Sequence, residues 1–213
     1  NIEIPASLNS TLTIKGETDR SNKLQNLIAE QLVGAGFNEI LNNSLTRKEY
    51  YSGLETFAPE HCVTLMNPLS EDLNVMRQSL LFGGLESLKR NINYRNTNLR
   101  FFEFGNCYSF DASQHHDEQS LSGYSEMQYM GLWITGKCIE SSWAHADEDA
   151  NFYQLKAYVE NILSRLGLSI AFLKMEEVQN DIFSQALQLV GSGKKLLATF
   201  GVVNPKLTAR FEI

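Results

Sequence analysis

Apolar residues recur every three or four positions in three stretches of the chain, the spacing that gathers them on one face of an α-helix. Over residues 19–36 they fall at Leu24, Leu27, Ile28, Leu32 and Ala35, and Gly36 follows where a helix takes a C-terminal cap. Over about 76–92, Leu81, Leu85, Leu88 and Ile92 line one side while Glu86, Lys89 and Arg90 take the other. The cleanest stripe is Phe152, Leu155, Val159, Ile162, Leu163 and Leu166, closed by Gly167. Strands are expected between these helices, at 37–45, 63–66, 99–110, 127–138, 170–173, 185–190 and 195–203. The last two flank Gly191-Ser192-Gly193, which reads as a hairpin turn rather than a phosphate cradle.

Segment 127–138 is apolar on both pleat faces, with Tyr129 and Trp133 against Met130, Leu132 and Ile134, and is expected to be a central strand covered on both sides. Residues 111–125 are polar and read as a surface loop. Several strands follow one another with no helix between them. That order favours the α+β class, a mostly antiparallel sheet flanked by helices, over a doubly wound parallel sheet. With no repeat, low-complexity tract or linker, residues 1–213 read as a single domain.

Composition narrows the function. A 43% hydrophobic chain of 213 residues can bury roughly 70% of its unfolded surface without disulfide or metal staples. The net charge of -7 argues against a broad nucleic-acid footprint, and Lys194-Lys195 reads as a solvated hairpin tip. Cys62, Cys107 and Cys138 are odd in number and widely spaced, the pattern of a reducing compartment. No run approaches the ~20 apolar residues of a membrane span. With Asn1 first and no signal-like segment, the expectation is a cytoplasmic protein and an excised piece of a longer one.

Few constellations suggest chemistry. His115-His116-Asp117-Glu118 lacks a companion pair at zinc spacing and reads as a solvated loop. Gly83-Gly84 inside a helix costs about 1 kcal/mol per residue against alanine, which close packing on a sheet would offset. Arg100 and Glu103, three apart on a strand, should point to opposite faces, so a surface ion pair or strand-edge contact is expected of them. His145 follows Trp143 but has no nucleophile beside it in sequence. The acidic run Asp147-Glu148-Asp149 suits the dipole at the start of the third helix. No Gly-x-Ser-x-Gly, phosphate-loop or dinucleotide fingerprint occurs.

Four separated segments, in order, resemble the β chain of bacterial phenylalanyl-tRNA synthetase. The first is residues 24–40, a helix followed by Gly34-Ala35-Gly36-Phe37-Asn38-Glu39-Ile40. The second is residues 66–104, holding Asn67-Pro68, the helix between Arg77 and Arg90, and Phe102-Glu103-Phe104. The third joins Trp143 to Asn151-Phe152-Tyr153-Gln154-Leu155-Lys156, and the fourth is Phe200-Gly201-Val202-Val203-Asn204-Pro205 with Arg210-Phe211-Glu212-Ile213. The resemblance implies a class II aminoacyl-tRNA synthetase-like fold that has lost catalysis. It implies a catalytic α subunit that binds ATP and phenylalanine, an (αβ)₂ heterotetramer, and tRNA bound through other domains. ATP and magnesium would serve the whole enzyme and no cofactor this domain, and no catalytic or metal residue is assigned to it.

Three departures agree with that loss. The second class II signature needs its arginine and acid two apart, whereas Arg100 and Glu103 are three apart. In the third, Gly201 is followed by Val202, Val203, Asn204 and Pro205, leaving only Arg210 later. The first needs a proline after its strand, and none closely follows 37–45. Ala29, Val33 and Gly36 widen the apolar arc of the first helix beyond a one-sided stripe. The resemblance places that helix where class II subunits pair, so these three are the expected partner interface. Two rivals remain: a free-standing class II-like adenylate-forming enzyme, needing Arg100 and Arg210 in one pocket, and a generic α+β interaction module.

Overall fold

The computed structural model describes residues 16–68, 70–116 and 121–213. Asp117 and Glu118 of the histidine motif lie outside the described residues. Helices are α1 (Glu17–Gly34), α2 (Leu81–Asn93), α3 (Phe152–Arg165) and α4 (Pro205–Arg210). Strands are β1 (Asn38–Glu39), β2 (Leu45–Thr46), β3 (Val75–Met76), β4 (Leu99–Phe110) and β5 (Tyr124–Thr135), followed by β6 (Lys137–Ile139), β7 (Glu148–Asp149), β8 (Lys174–Val178), β9 (Phe183–Val190) and β10 (Leu196–Val203).

Among the described residues, two three-stranded sheets of order β1-β4-β5 and β10-β9-β8 carry the fold, with the small pairs β2-β3 and β6-β7. Every pairing is antiparallel except β1 with β4. The α+β expectation therefore holds, and β9 and β10 are joined through the Gly191-Ser192-Gly193 turn as expected.

Each of the two longest helices ends as its glycine foretold. After α1 the amide of Gly36, at φ +82°, donates to Val33 O, and that of Phe37 donates to Leu32 O. After α3 the amides of Gly167 and Leu168 repeat the pattern onto Ser164 O and Leu163 O. These paired bonds satisfy carbonyls the helix leaves open, and the left-handed residue is one glycine adopts without a Cβ clash. At the other end of α3, Asn151 Oδ1 accepts the amide of Gln154 at 3.0 Å.

The β1-β4-β5 sheet is covered on both faces. On one face Ile28 and Leu32 of α1 and Ile162 of α3 pack with Phe37 and Phe102, joined by Met130, Leu132 and Ile134 of β5. On the other, Phe82, Leu85 and Leu88 of α2 pack with Phe101, Cys107 and Trp133, with Tyr51, Leu54 and Cys62 from the irregular segment between β2 and β3, and with Val75 of β3. Helix α3 also bridges to the second sheet through Val159 and Leu163 against Leu189 and Phe200.

Several local expectations need correction. Segment 37–45 is not one strand: after β1 the chain leaves the ladder so that Asn42 can turn toward Glu103. Segment 63–66 holds only a single bridge, Thr64 to Val75, and 170–173 is a 3-10 turn, with β8 beginning after it. Among the described residues, strand β5 lies at the sheet edge, not its centre: β4 holds the centre between β1 and β5, and Met127 and Tyr129 are exposed. Helix α2 begins at Leu81 rather than near 76, because Val75 and Met76 pair with β2. Leu24 is exposed, although its helical phase matches that of Ile28. Glu148 and Asp149 form β7 against β6 rather than opening α3.

Candidate functional site

Alternation along β4 sends Phe101, Glu103, Gly105 and Cys107 to the α2 face and Arg100 and Phe102 to the α1 face. An acid among apolar neighbours needs a cation or several donors, and Glu103, fully buried, has both. Its carboxylate lies 2.6 Å from Arg77 Nη1 and accepts from Asn42 Nδ2 at 2.7 Å and from the Asn42 amide at 3.2 Å. Arg77 is also buried. Its Nε donates to Asn106 O at 2.9 Å and its Nη1 to Asn42 O at 3.3 Å. Ser87 of α2 closes the network by donating to Asn42 Oδ1 at 2.8 Å. The result is a polar clamp joining β4, the β1–β2 connection, the end of β3 and α2. The expected surface ion pair is thus a buried one, and its cation is Arg77.

Glycines on this face are lined with side chains. A methyl group at Gly84 or at Gly131 would overlap the Trp133 ring, and one at Gly105 would overlap the Arg77 guanidinium. Gly83 faces Asn42 in the same way, so the glycine pair in α2 serves close packing, as its position suggested. Indole and guanidinium therefore occupy the surface that small residues leave open. Cys107 lies on the same face, and burial pushes its thiol up to about 11.

Arg100 points the other way. Its Nη1 donates to Ala35 O at 3.0 Å and its Nη2 to Cys138 O at 2.9 Å, which ties the end of α1 to β6. Arg210 is exposed, with Nη1 at 3.2 Å from Ser52 O, next to Tyr51 in the α2-side core. The sheet separates the two arginines, so the convergence an adenylate-forming site would need is not present. Arg100 is engaged with backbone carbonyls, and Glu103 accepts from Arg77 and from both the amide and the side chain of Asn42. Gly201 sits in the β9–β10 ladder opposite Ala186, where any side chain would overlap Gln185 O.

The remaining candidates scatter. His115 Nδ1 lies 2.8 Å from Ser122 O, and the His115 ring packs on Phe110. His145 Nδ1 lies 3.3 Å from Ala146 O, in an exposed turn. Lys194 and Lys195 are exposed beside Gly193, at the hairpin tip. Of the expected interface residues, Ala29 is partly buried against the Ile28 and Leu32 cluster, Val33 is 59% exposed, and Gly36 is exposed at the helix end. Their flank of α1 is one turn step away from Leu32. The opposite flank faces α3 across an open groove of about 650 Å³ lined by Glu30, Gln31, Asn161, Ser164 and Arg165. Sequence reasoning missed the Arg77–Glu103 clamp. Its signal was an acid in phase with Phe101 and Cys107 on an apolar strand face.

Residues 4–213 match the family described as the phenylalanyl tRNA synthetase beta chain CLM domain. The chain is 60% identical, over all its 213 residues, to the phenylalanine–tRNA ligase beta subunit of Bacteroides thetaiotaomicron, of which it covers 26%. Against that of Porphyromonas gingivalis it is 45% identical over 212 residues, again 26% of the relative. The chain thus spans about a quarter of these relatives. Among solved structures it is similar in fold to the pyrrolysyl-tRNA synthetase of Desulfitobacterium hafniense. The TM-score is 0.61 at 18% identity, over 90% of this chain and 62% of that one.

Proposed function

The chain belongs to the phenylalanyl tRNA synthetase beta chain CLM domain family, and we propose that it is the non-catalytic, structural domain of a phenylalanine–tRNA ligase beta subunit. In this reading residues 1–213 form one domain of a longer, cytoplasmic subunit. The subunit assembles with a catalytic α subunit, in an (αβ)₂ arrangement, for the ATP- and magnesium-dependent joining of phenylalanine to tRNA. Other domains of the beta chain meet the tRNA. This domain's role is to present a rigid class II-like body to its partner.

The observation that carries the reading is the occupied α2 face of the central sheet. Trp133 lies over Gly84 and Gly131, and the Arg77–Glu103 clamp lies over Gly105. Adenylyl transfer depends on positioned positive charge at an accessible pocket. Here the Arg77 guanidinium on that face is buried and paired, Arg210 is tied to Ser52 O, and Arg100 lies on the other side of the sheet, bound to carbonyls.

Assembly is assigned to the open flank of α1. Val33 is an exposed β-branched apolar side chain there, with the small residues Ala29 and Gly36 beside it, a profile that lets another element approach closely. The test is Val33→Arg, measured for association with a catalytic α subunit and for thermal unfolding of the chain itself. The variant should keep its fold, since Val33 faces water in the unpartnered chain. It should lose association by orders of magnitude, because an unpaired charge buried at an interface costs several kcal/mol. Unfolding of the isolated variant would instead give that flank to the domain's own core.

A further inference from the structure

The two tryptophans have opposite surroundings. Trp133 is buried against α2, whereas Trp143 is 100% exposed in the turn between β6 and β7. The turn itself is well held. Ser142 N–H donates to His145 O at 3.0 Å, Lys137 pairs with Asp147, and Asn98 bonds both the Lys137 amide at 2.9 Å and Glu140 at 2.8 Å. The fold therefore spends an ordered hairpin on displaying a large apolar ring to water, where the ring contributes nothing to the core.

The root of this hairpin is continuous with the open end of α1. One guanidinium, Arg100, binds both Cys138 O of β6 and Ala35 O after α1. Val33 and Gly36 are exposed on the α1 side of that bridge, and Ile139 is 40% exposed on the β6 side. A protein surface lying on Val33 would thus reach the hairpin without crossing the domain.

An exposed indole can stack on a base, enter a bilayer interface or fill a pocket in another protein. The first needs a cationic groove and the second is favoured by one, because phosphates and anionic headgroups attract lysine and arginine. This hairpin carries Glu140, Asp147, Glu148 and Asp149 against Lys137, and Lys137 is already paired with Asp147. Glu148 and Asp149 are both exposed. The charge selects a protein pocket with an apolar floor and a basic rim. We propose that the β6–β7 hairpin, anchored by Trp143, inserts into such a pocket on the same partner chain that covers Val33. The inference rests on the assembly role given above and adds a second, chemically distinct contact to it.

The chain, its Trp143→Ala variant, a Glu148→Lys/Asp149→Lys double variant and Val33→Arg should be titrated with the α subunit of the Bacteroides thetaiotaomicron ligase. Low and physiological salt should both be used. Trp143→Ala is expected to weaken association about 30-fold, the size of an interface hot spot, without changing the melting temperature. The lysine pair should weaken it too and flatten or reverse its salt dependence. With both tryptophans replaced by 5-fluorotryptophan, the Trp143 fluorine resonance should move on addition of the partner while that of Trp133 stays. If Trp143→Ala binds like the parent while Val33→Arg does not, the hairpin inference falls and the assembly role stands. An unmoved Trp143 resonance in the complex overturns the hairpin inference even if a variant misfolds. If the parent chain does not associate, or Val33→Arg associates as the parent does, the assembly role fails and the hairpin inference falls with it.

Discussion

Glu103 and Arg77 form the most consequential side-chain contact of the central sheet, since each would be an uncompensated charge without the other. Both are buried, 2.6 Å apart, and each has further hydrogen bonds to Asn42 or to backbone. Removing one partner strands the other in a low-dielectric site, which typically costs 3–5 kcal/mol, whereas an apolar pair of similar volume can be neutral. Arg77→Leu should therefore lower unfolding stability by about 3–5 kcal/mol in urea denaturation, and Arg77→Leu/Glu103→Leu by clearly less than the sum of the single variants. Strict additivity would mean that the two charges are not coupled. Half of this contact was legible in the sequence. The period of two put Glu103 and Arg100 on opposite faces, which argued against a shared adenylate site but left a surface ion pair as the expectation. It could not identify Arg77, 26 residues earlier in a segment whose approach to β4 depends on tertiary packing.

At the scale of elements, glycine and periodicity were good guides where local sequence decides the backbone, and poor ones where neighbours do. Gly36 and Gly167 mark the ends of α1 and α3 because a left-handed residue is a local requirement. The hydrophobic phases likewise place Leu85 and Leu88 of α2 and Val159, Ile162 and Leu163 of α3 in the core, whereas Leu166, just past the end of α3, is exposed. Strand β5 shows the limit. Its C-terminal half is apolar on both faces because α1 and α3 cover one side and α2 the other, yet its place in the sheet is the edge, since β1 takes the far side of β4. Strand order is a non-local property that alternation does not encode. The glycines in helices give a paired test. Gly34 has open space around it and no left-handed φ, so Gly34→Ala should stabilise by about 0.5–1 kcal/mol through helix propensity. Gly84→Ala gains the same propensity but drives a methyl into the Trp133 ring, and overpacking of this kind costs about 1–3 kcal/mol. Chemical denaturation should therefore show opposite signs for the two. A stabilising Gly84→Ala would mean that Trp133 is free to move and the α2 face is not close-packed.

For the whole molecule, the two faces of the central sheet have diverged in use. The α2 face is closed by its own side chains, while the α1 end keeps Val33, Gly36 and the Trp143 hairpin exposed. The charge of the chain matches this division. With 25 acidic against 18 basic side chains, the chain's overall charge gives no general attraction for a nucleotide's phosphates. The three departures from the class II signatures thus have physical counterparts. Arg100 is turned onto Ala35 and Cys138, Gly201 is committed to the β9–β10 ladder, and the segment after β1 bends to bring Asn42 onto Glu103. The purified chain should accordingly give no phenylalanine-dependent exchange of pyrophosphate into ATP above a blank, with or without magnesium. The same should hold for Glu103→Gln, because the clamp that Glu103 belongs to is structural. Restoring a single charge would not help, since a catalytic pocket needs the Trp133 and Arg77 side chains out of the way as well as a free cation in reach. Exchange by the parent chain that Glu103→Gln abolished, in a variant that still unfolded cooperatively, would show the α2 face to be a working site and reverse the assignment.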